Sequence, residues 1–243
     1  MKKNKSFKRN PSLLNPEYKI ITNLEPSSSA SEAYRRIKVA LDFAAIDNDN
    51  RVIQICSSIS SEGKTTTLLN IAAAYAESKK KVVVVDLDLR KPRCHRAFKV
   101  ENKDGLNDVL LGNVELSSAI KHSETLGFDL LNSGKKTSNI SYVIASNQLK
   151  SVIEELKKIY DIVLIDCPPV LAFSDAVVIS SFCDAALFIV SQLRTDRKTA
   201  KEGIKILKEN NVNIIGCVFT EISNKKSMAG HYYYNSYYGY SQE

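Results

Sequence analysis

No run of about 18 or more apolar residues occurs anywhere in these 243 residues, so nothing in the sequence reads as a bilayer-spanning helix. The Lys-rich N-terminus (Lys2, Lys3, Lys5, Lys8, Arg9) is not followed by an apolar stretch, and a secretory signal is not expected. The five cysteines (Cys56, Cys94, Cys167, Cys183, Cys217) contain no Cys-x-x-Cys pair and no Cys/His cluster. That excludes a recognisable zinc site or disulfide framework and fits a reducing, cytoplasmic setting. Four of them lie inside or beside apolar runs, where a free thiol behaves as a small hydrophobe. No nucleic-acid-binding module accompanies the formal charge of +7. The first ten residues alone hold five basic groups and no acid. Much of the excess therefore sits in one arm, suited to an anionic membrane surface or an acidic partner, and nucleic acid is not an expected ligand.

What is present is a body with ordinary globular composition, 44% hydrophobic and 25% charged. Residues 1–29, punctuated by Pro11, Pro16, Pro26 and Ser27-Ser28-Ser29, read as an extended basic arm. A helical pattern (Ala33, Ile37, Ala40, Leu41, Ala44) follows over Ala30–Ala45, with Ser31 as its N-cap. Apolar runs at Val52–Cys56, Val82–Asp86, Phe128–Leu131, Ile162–Asp166, Ala185–Val190 and Ile214–Phe219 then alternate with amphipathic stretches. Those stretches are Lys64–Glu77, Leu106–Leu111, Gln148–Lys158, Asp175–Ser181 and Thr199–Glu209. Buried strands alternating with helices predict an α/β fold with a doubly wound, mostly parallel sheet over residues 30–222. Ligands of such sheets bind beyond the carboxyl ends of the strands.

Three strand ends carry chemistry. The first runs into Ser58-Ile59-Ser60-Ser61-Glu62-Gly63-Lys64-Thr65, followed by Thr66: a P-loop with serine in the place of the first glycine. Its backbone N–H groups would cradle phosphates, Lys64 would reach the β- and γ-phosphates of ATP, and the Thr65 hydroxyl would ligate Mg²⁺. The second ends in Asp86-Leu87-Asp88-Leu89-Arg90, where alternation places Asp86, Asp88 and Arg90 on one side. That is either a solvated edge with a local ion pair or a metal-and-base pair beside the phosphates. The third ends in Asp166-Cys167-Pro168-Pro169, a Walker-B pattern whose prolines stop the strand and aim the carboxylate.

From Ser223 the composition changes, and six tyrosines (Tyr232, Tyr233, Tyr234, Tyr237, Tyr238, Tyr240) fall within nine residues. No aliphatic residues accompany them, so residues 223–243 read as a flexible tail. A sticky low-complexity tail and an aromatic stacking platform are possible readings, but no Lys or Arg follows Lys226 to support stacking on nucleic acid. Phenols tethered to an ATP site suggest a set of phosphoacceptors.

Together these motifs resemble those of the bacterial tyrosine kinases that accompany capsule and exopolysaccharide assembly, over about residues 30–243. The resemblance rests on the deviant Walker motifs, on D-x-D-x-R and D-x-P-P, and on the terminal tyrosines. It implies that Lys64 binds phosphate, that Thr65, Asp88 and Asp166 organise Mg²⁺, that Asp86 accepts the tyrosine proton, and that Arg90 belongs to the same catalytic set. It also implies a ring-shaped homo-oligomer in which tails are phosphorylated in trans. The helix used there matches Glu32, Arg35 and Lys38, with lysine where relatives carry arginine. Implied partners are a membrane-embedded polysaccharide co-polymerase that activates the kinase at the inner face of the membrane, and a cognate phosphotyrosine phosphatase. Two departures stand out: Phe219-Thr220-Glu221 replaces an adenine-reading asparagine, and Thr137–Asn147 lacks an Asn-Pro-x-Glu-Leu-Leu pattern. The alternative is a switch ATPase of the cell-division or partition type. Such proteins carry an extra lysine early in the loop, and Ser57–Glu62 has none. A scaffold that retains the pocket without turnover is the remaining reading.

Overall fold

The computed structural model describes residues 18–46 and 49–222. In chain order the elements are α1 (Ile21–Leu24), α2 (Ser29–Ala44), β1 (Val52–Ser57), α3 (Lys64–Glu77), β2 (Val82–Asp86), α4 (Cys94–Ala97), α5 (Leu106–Leu110) and α6 (Leu116–Ala119). They continue with β3 (Lys121–Ser123), β4 (Phe128–Leu131), α7 (Ile140–Ile144), α8 (Asn147–Ile159), β5 (Ile162–Asp166), α9 (Asp175–Ser180), β6 (Ala185–Ser191), α10 (Arg197–Glu209) and β7 (Ile214–Thr220). The seven strands form one sheet in the order β3-β4-β2-β5-β1-β6-β7. All pairings are parallel except β3 with β4.

The inner strands β1, β2 and β5 are buried along their whole length, which is why they read as continuous apolar runs rather than alternating ones. Each sheet face is covered. On one face, α3 packs through Leu68, Leu69, Ile71 and Tyr75 against Ile53, Ile55, Val82 and Val84. On the other, α8 and α9 pack through Leu149, Ile153, Leu156 and Ile179 against Val83, Val85, Val163 and Ile165. The six expected strands are present. The three-residue β3 was not anticipated, because its sequence, Lys-His-Ser, has no apolar face. Among the described residues no helix is long and apolar enough to cross a membrane.

The N-terminal region differs from expectation. Residues 18–29, read as part of an extended arm, include α1 and are tied to the body. Asn70 of α3 is buried; its Oδ1 accepts from Thr22 N and the Thr22 hydroxyl, each at 3.1 Å. Its Nδ2 donates to the carbonyls of Lys19 (3.2 Å) and Thr66 (2.9 Å). The true N-cap of α2 is Ser28, whose side chain accepts from Ser31 N. Ser31 is buried and donates instead to the carbonyls of Ile21 and Glu25. The inner face of α2 carries Tyr34, Ile37 and Leu41, whereas Ala33 and Ala40 of the expected stripe are exposed. Residues 1–17 and 223–243 lie outside the described residues.

Because Asn70 satisfies four polar groups at once, Asn70→Ala strands buried partners. It is expected to cost about 1–3 kcal/mol and to speed amide exchange over residues 19–24 selectively, read by urea denaturation and hydrogen-exchange mass spectrometry.

Candidate active site

The loop between β1 and α3 is shaped by two left-handed residues, Ser61 (φ 64°) and Gly63 (φ 89°). Left-handed residues within a tight loop turn successive N–H groups toward one concavity, an anion nest. The first turn of the 14-residue α3 adds its positive end to it. At Gly63 any side chain is strained by the backbone angle itself. Ser58, standing where a glycine is usual, is buried, and its hydroxyl donates to Thr199 O at 3.0 Å. A Cβ on Gly203 of α10 would stand 2.6 Å from that hydroxyl. The glycine missing from the loop is thus matched by one on the helix that covers it.

Glu62 is fully buried. Its carboxylate accepts Ile59 N (2.7 Å), Ser191 N (3.2 Å) and the Thr195 hydroxyl, while its carbonyl accepts the Thr220 hydroxyl at 2.7 Å. Ser58 and Glu62 therefore brace the loop from beneath. Ser60, Ser61, Gly63, Lys64, Thr65 and Thr66 face the cavity, which encloses about 700 Å³. The Lys64 ammonium is held back inside the loop, donating to Ser57 Oγ at 3.0 Å.

Asp86 and Asp166 end neighbouring parallel strands and are register partners. Both are buried. Asp86 Oδ2 accepts the N–H groups of Arg93 and Cys94, each at 2.9 Å. Asp166 Oδ2 accepts the Thr65 hydroxyl at 2.6 Å. The Oδ1 atom of each has no partner among the described residues. Burial first, and then the charge of Asp166, pushes the Asp86 carboxyl well above the usual carboxylate range. Burial also raises Asp166, to about 6, against the lowering influence of Lys64 and Thr65. The orphaned Asp166 oxygen and the Thr65 hydroxyl, with the Asp88 carboxylate on the cavity wall, are a hard-oxygen donor set that fits a magnesium ion, and the orphaned Asp86 oxygen lies next to it.

Asp86, Asp88 and Arg90 do not share one face as alternation predicts. The strand stops at Asp86 and the chain turns, with Lys91 N donating to the Asp88 carbonyl (3.1 Å) and to its carboxylate (3.0 Å). Asp86 lies beneath the cavity, while Asp88 and Arg90 line it. Arg90 is clamped by Asp175 through Nε–Oδ2 (2.6 Å) and Nη2–Oδ1 (3.1 Å), with its guanidinium 3.8 Å from the centre of the Phe173 ring. Asp175 is only 3% exposed, so a stacked, bidentate pair closes this side of the cavity.

Other wall residues were not foreseen: Tyr18, Tyr34, Lys91, Arg93, Phe173, Thr220 and Glu221. Phe173 and Asp175 follow Asp166-Cys167-Pro168-Pro169 so closely that the motif could have flagged them. Tyr18 carries no motif signal. Glu221 is bonded to Ser191 Oγ and to Arg194. Cys94, outside any apolar run, is buried against Asp166, whereas Cys217 in an apolar run is exposed. On α2, Arg35 makes a bidentate pair with Glu77 (2.8 and 3.0 Å) and Lys38 pairs with Asp42 at 2.7 Å. Glu32 is half exposed. Val39 and Phe43 on the same helix, with Ile46 just past its C-terminal end, are exposed apolar side chains. The tyrosine cluster, Tyr232 to Tyr240, falls outside the described residues.

Comparison with known proteins matches residues 50–219 to the AAA domain family. The chain is 34% identical to the tyrosine-protein kinase YwqD of Bacillus subtilis over 90% of its own length and 91% of that protein. It is 33% identical to a putative tyrosine-protein kinase in the cps region of Klebsiella pneumoniae, over 85% of this chain and 28% of that longer protein. The solved kinase domain of the Escherichia coli tyrosine kinase ETK superposes with a TM-score of 0.80 at 29% identity, covering 91% of this chain and 87% of that one.

The raised carboxyls fix the sign of a pH effect. The fold binds these protons more tightly than the unfolded chain, so their contribution is present at low pH. For Asp166 it is lost as pH rises from the ordinary value of 3.8 through about 6, and for Asp86 it is lost as pH rises from 3.8 through that group's own raised pKa. Asp86→Asn removes one of the two charges while keeping an acceptor for Arg93 and Cys94. The variant without nucleotide is expected to be more stable than the parent at pH 8, by about 1 kcal/mol or more, and equal to it near pH 4. Thermal unfolding across pH, without and with Mg²⁺, checks this; added Mg²⁺ should narrow the gap.

Proposed function

Because the chain belongs to the bacterial tyrosine-protein kinases, we propose that it transfers the γ-phosphoryl group of ATP to the tyrosines of its own C-terminal tail. The observation that carries this reading is the convergence of Thr65, on the cavity wall, with the buried Asp86 and Asp166 next to the phosphate loop. The backbone of residues 60–66 holds the phosphates, and Lys64 leaves Ser57 to meet the γ-phosphate. Thr65, Asp88 and Asp166 hold Mg²⁺, which when bound neutralises charge on the β- and γ-phosphates. Asp86, with its raised proton affinity, takes the proton of the attacking phenol. Arg90, pre-oriented by Asp175 and Phe173, stabilises charge on the transferring group.

The wider assignments belong to the same proposal. Transfer runs in trans within a ring-shaped homo-oligomer built through α2. Support comes from the half-exposed Glu32 and the exposed apolar side chains of Val39, Phe43 and Ile46. Arg35 and Lys38, engaged within the chain, would have to exchange partners. The kinase works in the cytoplasm at the inner membrane face, recruited by a membrane-embedded polysaccharide co-polymerase, and regulates capsular or exopolysaccharide synthesis and export. A phosphotyrosine phosphatase resets it. A switch ATPase is disfavoured by the absence of a second lysine between Ser57 and Glu62.

Intact mass after incubation with Mg-ATP tests the central point. Phosphate additions mapping to Tyr232–Tyr240 are expected, and persistent tail labelling in a pure Lys64→Met protein would sink the assignment of the loop. Replacing all six tail tyrosines by phenylalanine is expected to remove most incorporated phosphate while leaving ATP affinity within about twofold, measured by calorimetry. If incorporation were unchanged, the tail would not be the acceptor.

A further inference from the structure

Of the five tyrosines in the described residues, three lie away from the cavity: Tyr75 is buried in the core, Tyr160 donates to Asp129, and Tyr142 is exposed elsewhere. Tyr34 lines the cavity but is fixed within α2, its hydroxyl engaged with Thr67. Tyr18 is different. It lies ahead of α1, lines the cavity, and its hydroxyl is bonded to Arg93 Nη1 at 3.1 Å.

Arg93 connects that hydroxyl to the acids. The same residue that holds the phenol donates its backbone N–H to Asp86 Oδ2 at 2.9 Å. The Tyr18 hydroxyl and the candidate base are therefore joined through one residue. The tether is short. The carbonyl of Lys19, the next residue, is held by Asn70, which also grips the Thr66 carbonyl at the start of the P-loop helix. A tyrosine of this chain is thus docked in the cavity that its own phosphate loop lines, its hydroxyl held by a guanidinium.

We infer that Tyr18 is an intramolecular phosphoacceptor of this kinase, modified in the same chain that binds the nucleotide. The inference rests on the kinase reading above. In the transfer, the Tyr18 oxygen forms a bond to the γ-phosphorus and the bond from that phosphorus to the β,γ-bridging oxygen breaks. ADP leaves, and the phenolic proton passes to Asp86. The product dianion then lies against Arg93 and Lys91, which lines the same wall.

The test uses the phosphatase-treated full chain with Mg-ATP, mixed with an equal amount of isotopically labelled Lys64→Met chain. Phosphate on Tyr18 and on the tail is quantified separately by fragmentation. Tyr18 of the active chain is expected to be modified with a rate constant unchanged by dilution, and Tyr18 of the Lys64→Met chain at least about tenfold more slowly. Asn70→Ala, which frees the tether, should slow Tyr18 labelling by about tenfold relative to the tail. Tyr18 left unmodified in a preparation whose tail is phosphorylated overturns the inference and leaves the kinase reading standing. Equal Tyr18 labelling of both chains overturns the intramolecular route. Absence of phosphate from every tyrosine removes the tail-kinase reading and this inference with it.

Discussion

Two carboxylates at the ends of adjacent parallel strands, set side by side by the β2–β5 register, are the constraint around which this molecule is arranged. Like charges buried next to each other are unfavourable, and each here keeps one oxygen without a partner. The fold tolerates the pair because β1 and α3 bring Thr65 and Lys64 to it, and because two backbone N–H groups after the Asp88 turn close on Asp86. A site that carries surplus negative charge next to an anion nest needs a cation to bind a triphosphate. Under the proposed function, the electrostatic cost of the empty site and its affinity for Mg-nucleotide would have the same physical origin.

The P-loop is held less by its own glycines than by neighbouring elements. Ser58 fits because Gly203 leaves room on α10. Glu62 fits because its carboxylate finds three donors around Ile59 and the end of β6. Thr220 bonds the loop carbonyl of residue 62 from the end of β7. The last core strand is consequently coupled to the phosphate loop, and the tyrosine tail begins only two residues beyond Glu221, itself part of the cavity wall. Under the proposed function, acceptor and donor sites share one short stretch of chain.

The sheet, its inner strands and the residues of the three motifs were legible because buried parallel strands and phosphate loops impose strong local patterns. Less visible was anything set by packing across the sequence. The pairing of Arg90 with Asp175 spans 85 residues and takes Arg90 away from the shared face with Asp86 and Asp88 that alternation suggested. Asp86 drops beneath the cavity because the strand ends there, a boundary that an unbroken apolar-acid alternation hides. The folded segment at residues 18–29 was missed because Pro26 and Ser27-Ser28-Ser29 read as the end of an extended arm, while its order comes from one buried amide, Asn70, about 50 positions away.

Helix α2 shows how the same constraint reaches the surface. Its inner face is committed to α3 through Tyr34, Ile37 and Leu41. Arg35 and Lys38 are drawn toward Glu77, Asp42 and the Tyr75 ring, with Lys38 Nζ 5.5 Å from the ring centre. The Arg35–Glu77 pair is partly exposed and the Lys38–Asp42 pair has one partner open to solvent, so exchanging them for intermolecular partners carries a modest penalty. Val39 and Phe43, and Ile46 just beyond the helix end, have no such local alternative and remain exposed. In any assembly built on this helix, these apolar side chains would supply most of the affinity and Glu32, Arg35 and Lys38 the register. A lysine at position 38 then matters less than the loss of bidentate geometry suggests, because its role is orientation rather than adhesion.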